Sequence, residues 1–487
     1  MMNEELPIYR IEPQEPPLWL RLLQWKYVFP VSMILFVIFA PFAVRTFMIV
    51  SIPDIGDPFD VDAFGTVNLP DAENARLDYE AAVALLVPKP TGAHLDVDTQ
   101  IDVALEEGWN YVVPEIRQWE KDNRLALERW KIGTEKPDFL LLQPSEFKFD
   151  TDIELIQQLR MLNRVNRLQC SRLVEEGELD EAWEWCRAGL RCGVHVNQHG
   201  VLICRLIGIH LQEECMAIIR RLSEHSAASD ELLRRILDEY GEIDQKNARL
   251  SVALKCEYLM IKSTFHDKQS MANIFPDAEQ QRLLNAGMFL LHEPQLSQLI
   301  WQQYLANQLD QIDLPLKEQQ KRTGHKRYGI FDRDPKKSYP SDHLTPAEIE
   351  TMIRRSLLAQ LLFPAFQQTH NRHLQFQTHQ RAIQVGLALR IYHRRHGRYP
   401  SDPEELVTDN IMSEVPIDPS SRTGETLRYC VVGEDVFIWG VGENGVDDGG
   451  TDVESADYER RNIDIGLVLG RKKVDSVEAQ KPYPDNQ

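Results

Sequence analysis

The chain has 487 residues, of which 43% are hydrophobic and 26% charged, a composition typical of folded domains rather than of disordered chains. Its formal net charge of −21 repels phosphate backbones, so we expect no nucleic acid partner, whereas cations are compatible ligands. None of the seven cysteines forms a C-x-x-C pair, so neither a zinc ribbon nor a thioredoxin-type site is predicted, and we expect thiols buried on helix faces.

The first predicted element is an uncharged and almost wholly apolar stretch, residues 27–44. A helix of that length rises about 27 Å, close to the hydrocarbon thickness of a bilayer. If the side chain of Arg45 reaches the interface, residues 46–50 extend the same helix. We therefore predict a transmembrane helix from Tyr27 to Val50, with the lipid bilayer as its partner. A cleaved signal peptide is the alternative, and it requires an unusually long segment before the apolar run.

The charges on the two sides of this helix predict its orientation. Basic residues precede the span and acidic residues follow it: Arg10, Arg21 and Lys26 before, and Asp54, Asp57, Asp60 and Asp62 after. Because basic segments stay on the cytoplasmic side, we predict a single-pass protein of the inner (cytoplasmic) membrane. Residues 1–26 would form a cytoplasmic tail, and the rest of the chain would be extracytoplasmic.

Helical periodicity dominates the middle of the chain. Residues 51–70 are rich in Pro, Gly and Asp and predict a linker, after which residues 71–373 predict an irregular α-helical body. The predicted helices cover residues 71–86, 157–174, 201–221, 231–240, 248–265, 295–309 and 345–370. Residues 176–190 predict the turn and second helix of one αα-hairpin, with Gly177 in the turn. No copy follows at tetratricopeptide spacing, so no repeat array is predicted.

Two features of the body suggest chemistry. His195 and His199 have i, i+4 spacing, which places two imidazoles on one helix face, as a zinc site can use. The glutamate of H-E-x-x-H is absent, and polar caps near Gly193 and Gly200 are the favoured role for the two histidines. Glutamates are scattered over the predicted helices, and paired carboxylates serve glycosidases. No spacing singles out a pair, so solvated helix faces are expected.

The C-terminal part of the chain combines a helix, turns and strands. Residues 382–396 predict an amphipathic helix that ends at Gly397, since Gly suits the position after a helix and Pro400 bars continuation. Two strands, 427–432 and 436–441, follow and are joined by a tight turn. They lead into the acidic glycine loop GVGENGVDDGGTD at 440–452. This loop matches G-x-G-x-x-G, but no helix opens after it and its acids repel a pyrophosphate, so no dinucleotide site is predicted.

Four side chains of this loop are candidate metal ligands: Asn444, Asp447, Asp448 and Asp452. Their hard oxygens suit calcium, which takes about six to eight oxygen ligands, so backbone carbonyls or water must complete the shell. Composition alone favours a solvated acidic turn instead, because Asp and Gly are common turn formers.

The motifs of this region stand in a fixed order, GRYP at 397–400, ELV at 405–407, PIDP at 416–419, LRY at 427–429 and GENGVDDGG at 442–450. This order resembles the globular C-terminal part of type II secretion major pseudopilins, over residues 382–464. The resemblance implies a small helix-plus-meander domain with a calcium-binding loop. The whole chain is also similar to membrane-anchored helical bacterial proteins that end in the same motif. Filament assembly is not expected, because here the whole body separates the apolar helix from the module.

We therefore predict a mainly α fold with an N-terminal transmembrane helix, an irregular α-helical body and a small C-terminal α+β module with an antiparallel β meander. The module covers residues 374–470 and is followed by a disordered tail at 471–487. The predicted function is that of a membrane-anchored extracytoplasmic protein with a structural or protein-interaction role and a calcium-binding loop. An extracytoplasmic hydrolase with an active site in the body is the alternative, although no catalytic residue is assigned and an enzyme is the less favoured class.

Overall fold

The computed structural model of the chain is mainly helical, with a small three-stranded antiparallel sheet near the C-terminus, which confirms the predicted fold class. The structure describes residues 25–52, 54–92, 96–267, 291–319, 325–326, 343–344, 346–433, 435–450 and 464–469. The predicted cytoplasmic tail up to residue 24, Asp452 and the predicted disordered tail at 471–487 lie outside the described residues.

The described helices are α1 Trp25–Val50, α2 Val61–Gly65, α3 Arg76–Ala84, α4 Val97–Glu106, α5 Pro114–Asp122, α6 Arg124–Thr134, α7 Glu154–Glu176, α8 Leu179–Gln198, α9 Leu202–Glu224, α10 Asp230–Asp244, α11 Leu250–His266, α12 Glu293–Gln308, α13 Leu316–Gln319, α14 Pro346–Ile353, α15 Leu357–His396 and α16 Glu404–Thr408. Two 3₁₀ turns are Trp109–Tyr111 and Pro144–Glu146. The described strands are β1 His325–Lys326, β2 His343–Leu344, β3 Arg428–Val432, β4 Asp435–Gly440 and β5 Ile465–Leu469. The helices predicted between residues 157 and 309 correspond to α7 and α9–α12, with ends that differ by a few residues.

The start of the body differs from the prediction. The sequence predicts a helix from residue 71, but α3 begins at Arg76 and the residues before it form turns. The cause is Asn74, whose side-chain oxygen accepts hydrogen bonds from the amides of Arg76 (3.1 Å) and Leu140 (3.0 Å). Its side-chain nitrogen also donates to the Leu140 carbonyl. Asn74 therefore holds a contact with a distant segment instead of entering the first helical turn.

The helices α7 and α8 form the predicted αα-hairpin, and α9 packs against both. Gly177 ends α7 with a φ of 80°, and its amide donates to carbonyls of the last turn. The three helices approach closely at Gly189, where a Cβ would lie 2.6 Å from the sulfur of Cys215 and 2.8 Å from Oδ1 of Asn163. The prediction of buried thiols is confirmed for six of the seven cysteines, Cys170, Cys186, Cys192, Cys204, Cys215 and Cys256.

One long helix, α15, connects two hydrophobic cores formed by the described residues. It is 40 residues long, begins after Ser356, whose hydroxyl accepts a hydrogen bond from the amide of Ala359, and ends at Gly397 as predicted. Phe366, near its start, belongs to a smaller core with α11, α12 and the end of α1. Ile383 belongs to the main core with α7–α10 and the sheet. The helices predicted at 345–370 and 382–396 therefore correspond to α14 and to the single helix α15. The predicted boundary between the body and the C-terminal module, between residues 373 and 374, lies inside α15.

The C-terminal sheet has the strand order β3-β4-β5, and both pairs are antiparallel. Ile438 on the central strand lies opposite Tyr429 of β3 and Leu467 of β5. Strands β3 and β4 confirm the two predicted strands, whereas β5 was not predicted. The helix α15 lies flat on the sheet at Gly386, where a Cβ would come within 2.9 Å of a methyl of Leu469.

Among the described residues, α1 is the helix that is long and apolar enough to span a membrane, over Val28–Val50. The most apolar part of this helix contains no buried side chain. The helix continues through Arg45, as predicted. The guanidinium of Arg45 binds the body: it pairs with Glu293 and donates to the carbonyls of Leu291 (3.0 Å) and Arg355 (2.7 Å). The end of the apolar helix is thus fixed to the folded body by a charged side chain.

Candidate functional site

The acidic glycine loop follows β4 and is built on glycines with left-handed backbone. Gly442, Gly445, Gly449 and Gly450 have φ values between 58° and 79°. At Gly450 a Cβ would also lie 2.9 Å from the indole ring of Trp439. Larger residues at these positions strain the backbone, so the loop conformation depends on its glycines.

Three of the four candidate ligands lie together in this loop. The Asn444 side chain donates to Asp448 Oδ2 at 2.9 Å, and its oxygen accepts from the amide of Val446. Asp447 Oδ1 accepts from the indole nitrogen of Trp439 at 2.9 Å and from the amide of Gly449 at 3.1 Å. The fourth candidate, Asp452, lies outside the described residues.

A further carboxylate, Asp464, closes the loop from the side of β5. Its side chain is buried, and Oδ2 accepts from the amides of Asp448 (3.0 Å) and Gly450 (2.7 Å). Among the described residues, Oδ1 of Asp464 has no hydrogen-bond partner. Burial raises the pKa of Asp464, and the nearby charges of Asp447 and Asp448 raise it further. The sequence does not single out this residue, because it stands alone, well beyond the loop, with no motif around it.

Arg428 ties the loop to the preceding motifs. Its Nε pairs with Asp447 Oδ2 at 2.8 Å, its Nη1 lies 3.6 Å from Asp418 Oδ2, and its Nη2 pairs with Glu425. Asp418 is buried and accepts hydrogen bonds from the amides of Ser420 (2.9 Å) and Val441 (2.8 Å). The PIDP turn, the LRY strand and the start of the glycine loop, which stand apart in sequence, therefore meet around one guanidinium.

Burial is also the main influence on the pKa of the Asp418 carboxyl. It raises the pKa of this carboxyl, while the two backbone amides and Arg428 act in the opposite direction. The carboxylate lies directly against Gly440, where a Cβ would be 2.6 Å from Oδ1. Gly440 is required at this position because any side chain would displace the carboxylate that holds the loop.

The donor set of the loop is made of oxygens, which suits calcium or magnesium better than zinc or copper. The described residues contain no group of three or more His, Cys, Asp or Glu side chains arranged to hold a metal ion. Asp447 is already paired with Arg428 in this arrangement, so it would have to share or leave that pair to bind calcium. Within the described part of the chain, Oδ1 of Asp464 has no partner, and it is the atom beside the loop that best fits a cation.

Both histidines of the i, i+4 pair face the segment that contains Lys136 and Asp138. His195 lies within α8, whereas His199 follows the last helical residue and is its C-cap. The ring of His195 is buried and contacts the Tyr79 hydroxyl (2.7 Å) and the Lys136 carbonyl (3.0 Å). His199 Nε2 lies 2.9 Å from Asp138. Burial lowers the pKa of His195 to about 4, so this imidazole is neutral at pH 7 and acts as a core hydrogen-bonding group.

A hydrolase in the body would need a cavity with two convergent acids or a histidine pair. The cavity beside α12, with a volume of about 400 Å³, is lined by one carboxylate, Asp54, and one imidazole, His292, among the described residues. Glu257 lies elsewhere: its carboxylate accepts from the amide of Leu202 at the start of α9. Burial raises the pKa of Glu257 to about 7. The described residues around this cavity therefore do not supply the paired acids of the alternative function.

Comparisons of the chain with protein-family models, with curated proteins and with solved structures found no significant match. The similarity to the globular part of major pseudopilins therefore depends on the ordered motifs alone and stays a prediction.

The geometry around Asp418 leads to a test of how the loop is held. Replacing Asp418 by Ala leaves two buried amides without an acceptor, and each such loss costs about 1–3 kcal/mol. We expect Asp418→Ala to lower the free energy of unfolding by about 2–4 kcal/mol, measured by denaturant unfolding of the detergent-solubilised chain. The matched control is Asp435→Ala, at the other end of β4, with an expected change within about 0.5 kcal/mol. Equal losses in the two variants would contradict this account of the loop.

Proposed function

We propose that the chain is a single-pass protein of the inner (cytoplasmic) membrane, with its body and C-terminal module on the extracytoplasmic side and a structural or protein-binding role. The observation that carries this proposal is α1, an apolar helix with no buried residue in its apolar window. Arg45, near the C-terminal end of this helix, is bound to the body, so the helix joins the folded part of the chain within its last turns.

The proposed orientation is supported by charge. Basic residues precede the helix in the sequence, and Asp54 and Asp57 follow it. Asp57 belongs to the folded side, because its carboxylate accepts hydrogen bonds from Tyr258 and Lys262, both at 2.7 Å. The acidic segment is therefore part of the body, and the body would lie outside the cytoplasm.

The loop is the proposed calcium site of the C-terminal module. Asn444, Asp447, Asp448 and Asp452 would hold the ion, as the resemblance to pseudopilins implies, and the buried oxygen of Asp464 supports adding that residue. Calcium there would neutralise carboxylates that the fold brings close together and would connect the loop to β5. An extracytoplasmic site needs a dissociation constant of only about 10⁻⁴–10⁻³ M, because calcium is abundant outside cells.

Thermal unfolding of the full chain in detergent tests the calcium site. Binding to the folded state alone adds about 2.7 kcal/mol at a ligand concentration of about 100 times the dissociation constant. We expect the unfolding midpoint to rise in millimolar calcium relative to chelator. The double variant Asp448→Asn with Asp464→Asn should lose this rise, whereas Asp435→Asn should keep it. A midpoint that calcium does not change, or a rise that survives in the double variant, would argue against this loop as the site.

Reporter fusions test the membrane topology. A reporter that is active only outside the cytoplasm should be active when it is fused after Gln487, because the charge asymmetry around α1 keeps the N-terminus inside. The same reporter fused before Met1 serves as the control and should be inactive. Activity of the Gln487 fusion only with a cytoplasmic reporter would refute the proposed location.

A further inference from the structure

The first turns of α15 present an exposed helix face without charge. No Asp, Glu, Lys or Arg occurs between Ser356 and Arg372, although charged residues make up 26% of the chain. The exposed positions follow helical spacing: Leu357, Gln360, Leu361, Pro364, Ala365, Gln367 and Gln368. Leu357 is 65% exposed and Leu361 is 53% exposed. The opposite face is buried in the smaller core through Leu358, Ala359 and Phe366.

This face begins at the point where the apolar helix joins the body. Arg45 donates to the carbonyl of Arg355, two residues before Leu357. Glu293, the ion-pair partner of Arg45, also accepts from the hydroxyl of Ser356 (2.7 Å) and the amide of Leu358 (3.1 Å). One buried carboxylate therefore holds both the end of α1 and the first residues of α15. The uncharged face is fixed next to the helix that we place in the membrane.

The surroundings of the face match a lipid surface. The last turn of α1 exposes Phe47 and Val50, which are 74% and 70% exposed. Arg354 stands beside the start of α15 and is itself exposed, in a pair with Glu350. Helices that lie in the interface plane of a bilayer combine leucines with neighbouring arginines. The glutamines and Pro364 keep the face too polar for the hydrocarbon region, which places it at headgroup depth.

We propose that residues 357–368 of α15 lie in the headgroup region of the same membrane that α1 spans, so that the body contacts the bilayer through a second, in-plane helix. This inference depends on the proposed membrane anchoring. The occupant of the face is the lipid surface, because the face begins beside the residues that Arg45 of α1 binds and carries no charge that a polar protein partner would pair with. The second attachment would hold the body at a fixed orientation to the membrane.

Fluorescence quenching in the full chain tests the inference. Three variants with one added cysteine each are compared, labelled with an environment-sensitive dye and reconstituted into phosphatidylcholine–phosphatidylglycerol vesicles: Leu361→Cys on the face, Phe36→Cys in α1 and Leu125→Cys in the body. Leu125 is the matched control because it is 68% exposed. The unaltered chain, labelled in the same way, gives the background from its partly exposed Cys430.

Lipids that carry a nitroxide near the headgroup should quench the label at position 361 about fivefold more strongly than the label at position 125. Lipids with a deep nitroxide should quench the label at position 36. Equal quenching at positions 361 and 125, with position 36 quenched, would overturn the in-plane helix and leave the anchor intact. Absence of quenching at position 36 would overturn the anchor and the inference together. Disulfide-linked dimers of unlabelled Leu361→Cys chains, with no lipid quenching, would show that a second copy covers the face.

Discussion

The attachment of the apolar helix α1 to the body depends on the buried carboxylate of Glu293. It is 3% exposed and pairs with Arg45 at the end of the apolar helix. It also accepts hydrogen bonds from Ser356 and from the amide of Leu358, so it fixes the start of α15. A buried ion pair is costly to form, but removing one partner costs more, because the other charge then stays buried without compensation. The apolar helix is consequently held to the body at a defined position.

A second charge cluster lies beside the middle of α15, where Arg381 donates to the carbonyl of Ile417 in the PIDP turn. There Arg428 lies between Asp418 and Asp447, and Asp418 binds the amide of Val441 where the glycine loop begins. The long helix between the two clusters belongs to the smaller core at its start and to the main core at its end. The body and the C-terminal module therefore share packed side chains. A change in the acidic glycine loop would act on β4 and β5, which lie directly on α15 at Gly386.

The sequence predicts those parts of the molecule in which local pattern decides the structure. Helical periodicity predicts α7–α12, Gly177 and Gly397 predict helix ends, and alternation predicts β3 and β4. The sequence does not predict the local structure where a contact with a distant residue decides it. Asn74 leaves the helix because it binds Leu140, and His195 is held by Tyr79. Asp464 and β5 come together with the loop through tertiary contacts that no spacing encodes, so this fifth candidate ligand is visible only in the structure.

A double-mutant cycle across Arg45 and Glu293 tests the central physical claim most directly. Unfolding of the full chain in detergent is measured for Arg45→Met, for Glu293→Gln and for the double variant. We predict that Arg45→Met alone costs about 3–5 kcal/mol, because it leaves a buried carboxylate without its partner. The double variant should then be at least about 1 kcal/mol more stable than the sum of the two single losses predicts. Additivity within about 0.5 kcal/mol would show that the two residues act independently and would contradict the account.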